Sequence, residues 1–457
     1  MMKQYLQLET FDQQVNIKVY PGLHTCDQTI IYLTHYSSVT ISSSDPIDPP
    51  TFQCYNTSSF LSVTVGSHLI SREVYYHDIF IDGITITGPN QDVVHSLMSF
   101  KGNRHFRCAV VMNNVHLSDF FTSVEPLINI VDFNVSLSGS KFNNSVTDNG
   151  TIFINNAWKV FIDNCTFSSN SGERGASALN VQGMPALDDS LIVVKNSTFE
   201  DNKYKPAVNL VYMMKSIFFG CKFNGNFGYK GGAVSISGND NDHTEFNNTI
   251  FNNNWAVNGS AIYTGYTGVL SLNYCNITNN RVSNIGVIYI EKNDDIMNLL
   301  MIDTWFNNNT ALGMESPPGK ARGLDIYFPA NRITITGGYF NDIRIPLFSG
   351  FPSWSFSSDD GTNHLSPSDC RPEEQSLYRG TLGWSCFKVE YNPNTINTNG
   401  DTSISDDYSY SRDDDSNRQW SGPSRDLLPI LSPVILIITF LISWIFIIHE
   451  WNRPNIE

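Results

Sequence analysis

The sequence predicts an all-β chain: a single-stranded parallel β-helix (solenoid) of about ten or more rungs, then a polar stalk and one transmembrane α-helix. Three observations carry this expectation. Short units of strand, corner and strand recur over residues 76–356. The same residue types return to the same place in successive units. An uncharged apolar run of 22 residues lies near the C-terminus.

The repeat is found by aligning the apolar residue that follows each corner. It recurs as Ile86, Leu117, Phe142, Phe167, Phe199, Phe223, Phe251, Ile277, Phe306 and Phe340, at intervals of 24 to 34 residues. Loose spacing of this kind is expected when insertions are confined to loops on a repeating unit. Three residues before each anchor stands Gly83, Asn114, Gly139, Asn164, Asn196, Gly220, Asn248, Tyr274, Asp303 or Gly337. Gly, Asn and Asp tolerate left-handed backbone, so this place reads as a corner, and Tyr274 alone departs from the rule.

Before the corner, apolar residues alternate, as in Val110/Met112, Val160/Ile162, Ile192/Val194, Leu270/Leu272, Leu299/Met301 and Ile333/Ile335. Period two marks a strand with one buried face. Three places after the anchor stands a recurring amide: Asn170, Asn202, Asn226, Asn254, Asn280 and Asn309. Units of two or three short strands with corners stack as rungs of a parallel solenoid, about 4.8 Å apart, so like residues lie over like. The anchors Phe142, Phe167, Phe199, Phe223, Phe251, Ile277 and Phe306 are then expected to form an internal stack. The six Asn residues are expected to form a hydrogen-bonded ladder. A propeller blade needs 40 or more residues, and these units are too short for one. Residues 1–75 read as irregular first rungs and an N-terminal cap.

Two turn motifs accompany the repeat: FSSN (167–170) with GASA (175–178), FNGN (223–226) with GGAV (231–234), and FNNN (251–254) with GSAI (259–262). This pairing resembles the GGA[IVL]/FxxN repeat of chlamydial polymorphic outer membrane proteins, within the wider right-handed β-helix, pectin-lyase-like superfamily. The likeness is best over 135–310 and diffuse to about 345. It implies right-handed coiling and a role in surface display and adhesion. The translocating β-barrel of those bacterial proteins has no counterpart in this sequence.

Residues 357–426 are rich in Ser, Asp, Asn and Gly and read as a polar, acidic juxtamembrane stalk. Residues 427–448, LLPILSPVILIITFLISWIFII, carry no charge. At 1.5 Å per residue they span about 33 Å, enough for a bilayer core. A short tail, 449–457, follows. The first residues, MMKQYLQLETFDQQ, lack the apolar region of a signal peptide. The expectation is a single-pass membrane protein with an extracellular solenoid; the alternative is a tail-anchored, cytosol-facing one. Sequons stand at Asn56, Asn134, Asn143, Asn149, Asn164, Asn196, Asn247, Asn258, Asn276 and Asn308, candidate glycosylation sites of an outside-facing chain.

Charge and cysteine usage exclude several classes. The net charge is −16 with a pI near 5.0, and such a surface repels phosphate backbones, so nucleic acid is not an expected partner. The eight cysteines form no CxxC pair, which argues against zinc ribbons and thioredoxin-like redox sites. By the spacing of rungs, Cys165, Cys221 and Cys275 lie two rungs apart, too far to bridge, whereas Cys26 with Cys54, and Cys370 with Cys386, can pair.

No catalytic constellation stands out. The acidic pairs Asp188/Asp189 and Asp294/Asp295, and the NDNDH run from Asn239, read as solvated loop residues. Glu173/Arg174 and Lys203/Lys205 read as turn residues. The ten His residues form no HExxH pair, and no catalytic, cofactor or metal residue is assigned. The expected function is a membrane-anchored, cell-surface β-helix protein with a non-catalytic adhesion, glycan-binding or structural role. The alternative is a polysaccharide-degrading enzyme, a lyase or glycoside hydrolase, on the pectin-lyase-like fold. Surface aromatics such as Tyr204, Trp255, Tyr263 and Tyr266 are the candidates for stacking on sugar rings.

Overall fold

The computed structural model describes residues 4–8, 13–26, 29–33, 37–54, 59–66, 76–88, 95–102, 107–122, 124–156, 158–184, 190–239, 241–291, 298–311, 326–327, 332–340, 353–356 and 364–365. The stalk apart from His364–Leu365, which forms a short strand paired with Tyr339 and Phe340, lies outside the described residues, as do the apolar run at 427–448, Cys370, Cys386 and Asn56. Among the described residues no helix is long and apolar enough to cross a membrane.

These residues wind as a parallel β-solenoid in which every strand pairing is parallel. One face is a twelve-stranded sheet running in chain order from Gln4–Leu8 to Ile326–Tyr327. One coil shows how the chain goes round. Ile152–Asn155 lies on this first face, Lys159–Asp163 on the second and Thr166–Ser168 on the third. A short arc, Ser171–Gly172, then leads to the next first-face strand, Leu179–Gln182. Residues 4–65 contribute strands to the same sheets.

Period-two alternation decides what is inside. On the second face Val160 and Ile162 are buried while Lys159, Phe161 and Asp163 are exposed. Each inward residue sits over its like: Val160 pairs in register with Ile192, and Ile162 with Val194. On the third face Phe142, Phe167, Phe199, Phe223 and Phe251 are fully buried. Their successive ring centroids are 5.0, 4.8, 4.8 and 5.1 Å apart. Ile277 and Phe306 continue the row. The ring spacing equals the strand spacing, so sheet hydrogen bonding and aromatic packing demand the same geometry.

The corners adopt left-handed backbone. Asn114, Gly139, Asn164, Asn196, Gly220 and Asn248 have φ between 48° and 63°. Tyr274, the residue that departs from the sequence rule, is held at φ 56° in the same corner. A small donor sits two places before each anchor from Phe142 to Phe306. The hydroxyl of Ser197 donates to the Lys195 carbonyl at 2.7 Å, the Cys165 thiol to the Asp163 carbonyl at 3.3 Å, and the Thr249 hydroxyl to the Asn247 carbonyl at 3.1 Å. Ser, Thr and Cys alternate there because each can tie down the carbonyl of the bend.

The amide ladder runs through the next corner. Asn226 Nδ2 donates to the Phe199 carbonyl at 2.9 Å and to Asn254 Oδ1 at 2.9 Å. Its Oδ1 accepts from the Asn202 backbone N–H at 3.2 Å and from Asn202 Nδ2 at 2.9 Å. All four hydrogen-bonding positions of a buried amide are thereby filled. Asn202, Asn254 and Asn280 repeat the pattern, Asn170 begins it with its Oδ1 accepting the Ser145 N–H, and Asn309 receives the last pair.

Cys26 and Cys54 form a disulfide with a Cα–Cα distance of 4.7 Å. Cys165, Cys221 and Cys275 are buried free thiols. Register places Ser197 between the first two and Thr249 between the second two.

Candidate functional site

The residue that follows each ladder Asn turns outward into the arc between the third and first faces. In successive coils it is Ser171, Lys203, Phe227, Trp255, Arg281 and Thr310. Their order in space is given by the pairings Ser171 with Lys203, Phe227 with Trp255, Trp255 with Arg281 and Arg281 with Thr310. The Phe227 N–H bonds the Asn202 carbonyl, which joins Lys203 and Phe227 into the same row. The amide ladder therefore sets the spacing of the side chains outside it.

Three aromatic side chains make this arc a ledge. Phe227 and Trp255 lie with ring centroids 4.8 Å apart at 37°. Tyr204 meets the other side of Phe227 edge-on at 6.5 Å. Trp255 is 45% exposed and Tyr204 64% exposed. The Trp255 indole N–H donates to the Ser283 hydroxyl at 3.2 Å, which fixes the ring's orientation. Tyr204 is held at φ 73° without being one of the stacked corner residues. A bulky residue in that region costs about 1–2 kcal/mol, and such strain concentrates at functional positions.

Lys203 and Arg281 flank the rings in the same row, and both are exposed. Neither enters an ion pair among the described residues, whose salt bridges are His95–Glu125, Arg174–Asp148 and Lys230–Glu291.

A second cluster sits on the first face. Tyr263 stacks on Tyr289 with centroids 5.4 Å apart at 7°. The Tyr263 hydroxyl donates to the Glu291 carboxylate. Lys230 lies 4.9 Å over the Tyr263 ring and 3.4 Å from Glu291. Burial, and then the Glu291 carboxylate, push the Tyr263 phenol well above its ordinary value. With Tyr263 only 4% exposed, this ring is no open platform, unlike Tyr204 and Trp255. The cluster braces adjacent coils. The side chain of Tyr266 lies outside the described residues.

Other sequence candidates take structural places. Asp242 caps its own loop, its Oδ2 accepting the Asn239 N–H at 2.7 Å. Arg174 pairs with Asp148 at 3.4 Å. Asp188/Asp189 and Asp294/Asp295 lie outside the described residues. Among the described residues no group of three or more His, Cys, Asp or Glu could hold a metal ion. Of the sequons, Asn164, Asn196, Asn276 and Asn308 are exposed and Asn134, Asn143, Asn149, Asn247 and Asn258 are half-buried. The amide of Asn196 bonds Asp163 and that of Asn308 bonds Asn279.

Sequence reading picked out Trp255 and Tyr204 by residue type but not the row they share with Lys203, Phe227 and Arg281. The signal was present: each row residue comes one place after a ladder Asn.

No family model matches the chain, and no curated protein matches it. Among solved structures, a mannuronic acid specific polysaccharide family 6 lyase from human gut microbiota is similar at 8% identity and a TM-score of 0.30, over 80% of this chain and 93% of that one. At that score the likeness carries no functional argument.

Proposed function

We propose that this parallel β-helix is a carbohydrate-binding protein of adhesion type, held at a membrane by residues 427–448 with the solenoid outside. The ledge formed by Tyr204, Phe227 and Trp255 carries this reading. Two exposed aromatic rings, Tyr204 and Trp255, packed against the half-buried Phe227, give sugar rings a rigid apolar surface. One of them, Tyr204, stands in strained backbone. The Cys26–Cys54 bridge suits an oxidising compartment and so supports the outside topology.

A glycan array probed with the full chain and with Trp255→Ala tests the reading. Binding by the parent that falls about tenfold or more in the variant supports it. A folded parent that binds no glycan overturns it. Release of reducing ends or unsaturated sugar from any glycan in the same panel would instead favour the polysaccharide-degrading alternative.

A further inference from the structure

The ledge carries charge as well as rings. Resting on the glycan reading above, we propose that it takes a linear polyanionic glycan laid along the solenoid axis, its carboxylate or sulfate groups on Lys203 and Arg281 and its sugar rings on Phe227 and Trp255.

Three observations point to that class of ligand. First, Lys203 and Arg281 belong to the same row as the rings, three coils apart, or about 14 Å at the strand spacing. A chain running along the axis meets a cation, two rings and a second cation in turn. A chain crossing the axis would meet one of these at a time.

Second, both cations are exposed and without an ion-pair partner among the described residues. This occurs in a protein with 44 acidic residues against 28 basic ones. The row itself, from Ser171 to Thr310, contains no acid. In so acidic a chain an acid-free row that holds two cations without an ion-pair partner among the described residues is complementary to an anionic partner. Arg281 can hold a carboxylate or sulfate through two parallel hydrogen bonds, and charged hydrogen bonds are about twice as strong as neutral ones.

Third, the row is rigid where it must be. The Trp255 ring is pinned by Ser283, and every row residue is fixed by the amide ladder beneath it. The spacing between the backbone positions of the two cations is therefore set before a ligand arrives, which lowers the ordering cost of binding.

The test uses the full chain, with Lys203→Gln, Arg281→Gln and the double variant, each first shown to melt like the parent. Binding is measured for three series, each from disaccharide to octasaccharide: oligogalacturonides, heparin-derived sulfated oligosaccharides and neutral cello-oligosaccharides. The expected result is that one or both anionic series bind, about tenfold or more tighter than the neutral one. Affinity should rise with length until the ligand spans both cations, and fall as salt is added. Each single variant should cost roughly tenfold on the anionic series and clearly less on any neutral binding. The two anionic arms tell carboxylate from sulfate. Equal binding of neutral and anionic series, or an inert double variant, overturns the charge assignment and leaves the glycan reading standing. Failure of every series to bind the folded parent overturns the glycan reading, and this inference with it.

Discussion

Asn226 and Asn254, 28 residues apart in the chain, are joined side chain to side chain at 2.9 Å, and the Asn254 Oδ1 that accepts this bond also accepts the Asn226 backbone N–H at 3.0 Å. Each coil is thus tied to the next by an amide that serves both as donor and as acceptor, inside a corner with no access to water. Replacing Asn226 or Asn254 by Leu leaves at least one backbone N–H of that corner unpaired and takes a bond from the Phe199 or Phe223 carbonyl. An unpaired buried polar group costs about 1–3 kcal/mol. Both variants are expected to lose stability in that range in urea melts, and unchanged midpoints for both would remove the ladder's energetic role.

Tyr274 occupies a corner that neighbouring coils fill with Asn248 and Asp303, at φ 56° and with its ring 58% exposed. The ring shares in no aromatic contact among the described residues, so little packing offsets the left-handed backbone. Tyr274→Asn is expected to raise stability by up to ~1 kcal/mol, since Asn enters this region with less strain. A lower melting midpoint would mean that the tyrosine ring makes a compensating contact.

A solenoid makes distance along the sequence a measure of distance in space. That is why the corners, the Phe row and the Asn row were all readable by aligning units. Each depends on one residue type returning to one place. The ledge does not. Its row holds Ser, Lys, Phe, Trp, Arg and Thr, so type alone does not reveal it; only counting one place past each ladder Asn does. Choosing aromatics by type found Trp255 and Tyr204, but it also found Tyr263, which the fold closes beneath Lys230 and against Glu291. That contact depends on how the strand Phe227–Lys230 brings Lys230 over the first face, and nothing periodic encodes it.

The membrane anchor is tested by truncation. A chain ending at Gly422 lacks the apolar run at 427–448 and is expected to leave the membrane fraction entirely, while the full chain resists a carbonate wash. Retention of the truncated chain would place the anchor elsewhere.

The buried thiols give the last prediction, because they link a corner motif to pH. Cys165, Cys221 and Cys275 share their row with Ser197 and Thr249, and the Cys221 thiol reaches the Phe219 carbonyl at 3.6 Å as the hydroxyls reach theirs. Cys221→Ser should therefore cost less than about 1 kcal/mol, whereas Cys221→Val, which keeps the volume but drops the donor, should cost more. Burial pushes the Cys165 and Cys221 thiols up to about 11 and that of Cys275 up to about 12. The ordinary thiol value is about 8.5. Between those limits the unfolded chain has released its thiol protons while the native chain still holds them. The unfolded state binds fewer protons, so stability falls as pH rises. The thiols' contribution is complete below the ordinary value, declines above it, and is lost as pH passes the raised native values. A Cys165→Ser, Cys221→Ser, Cys275→Thr triple variant has hydroxyls in the same places and nothing to titrate there. Its urea midpoint is expected to fall less steeply than the parent's between about pH 8.5 and 11. Parallel alkaline profiles would show that the three thiols ionise as freely in the folded chain as in the unfolded one, which their burial between coils does not allow.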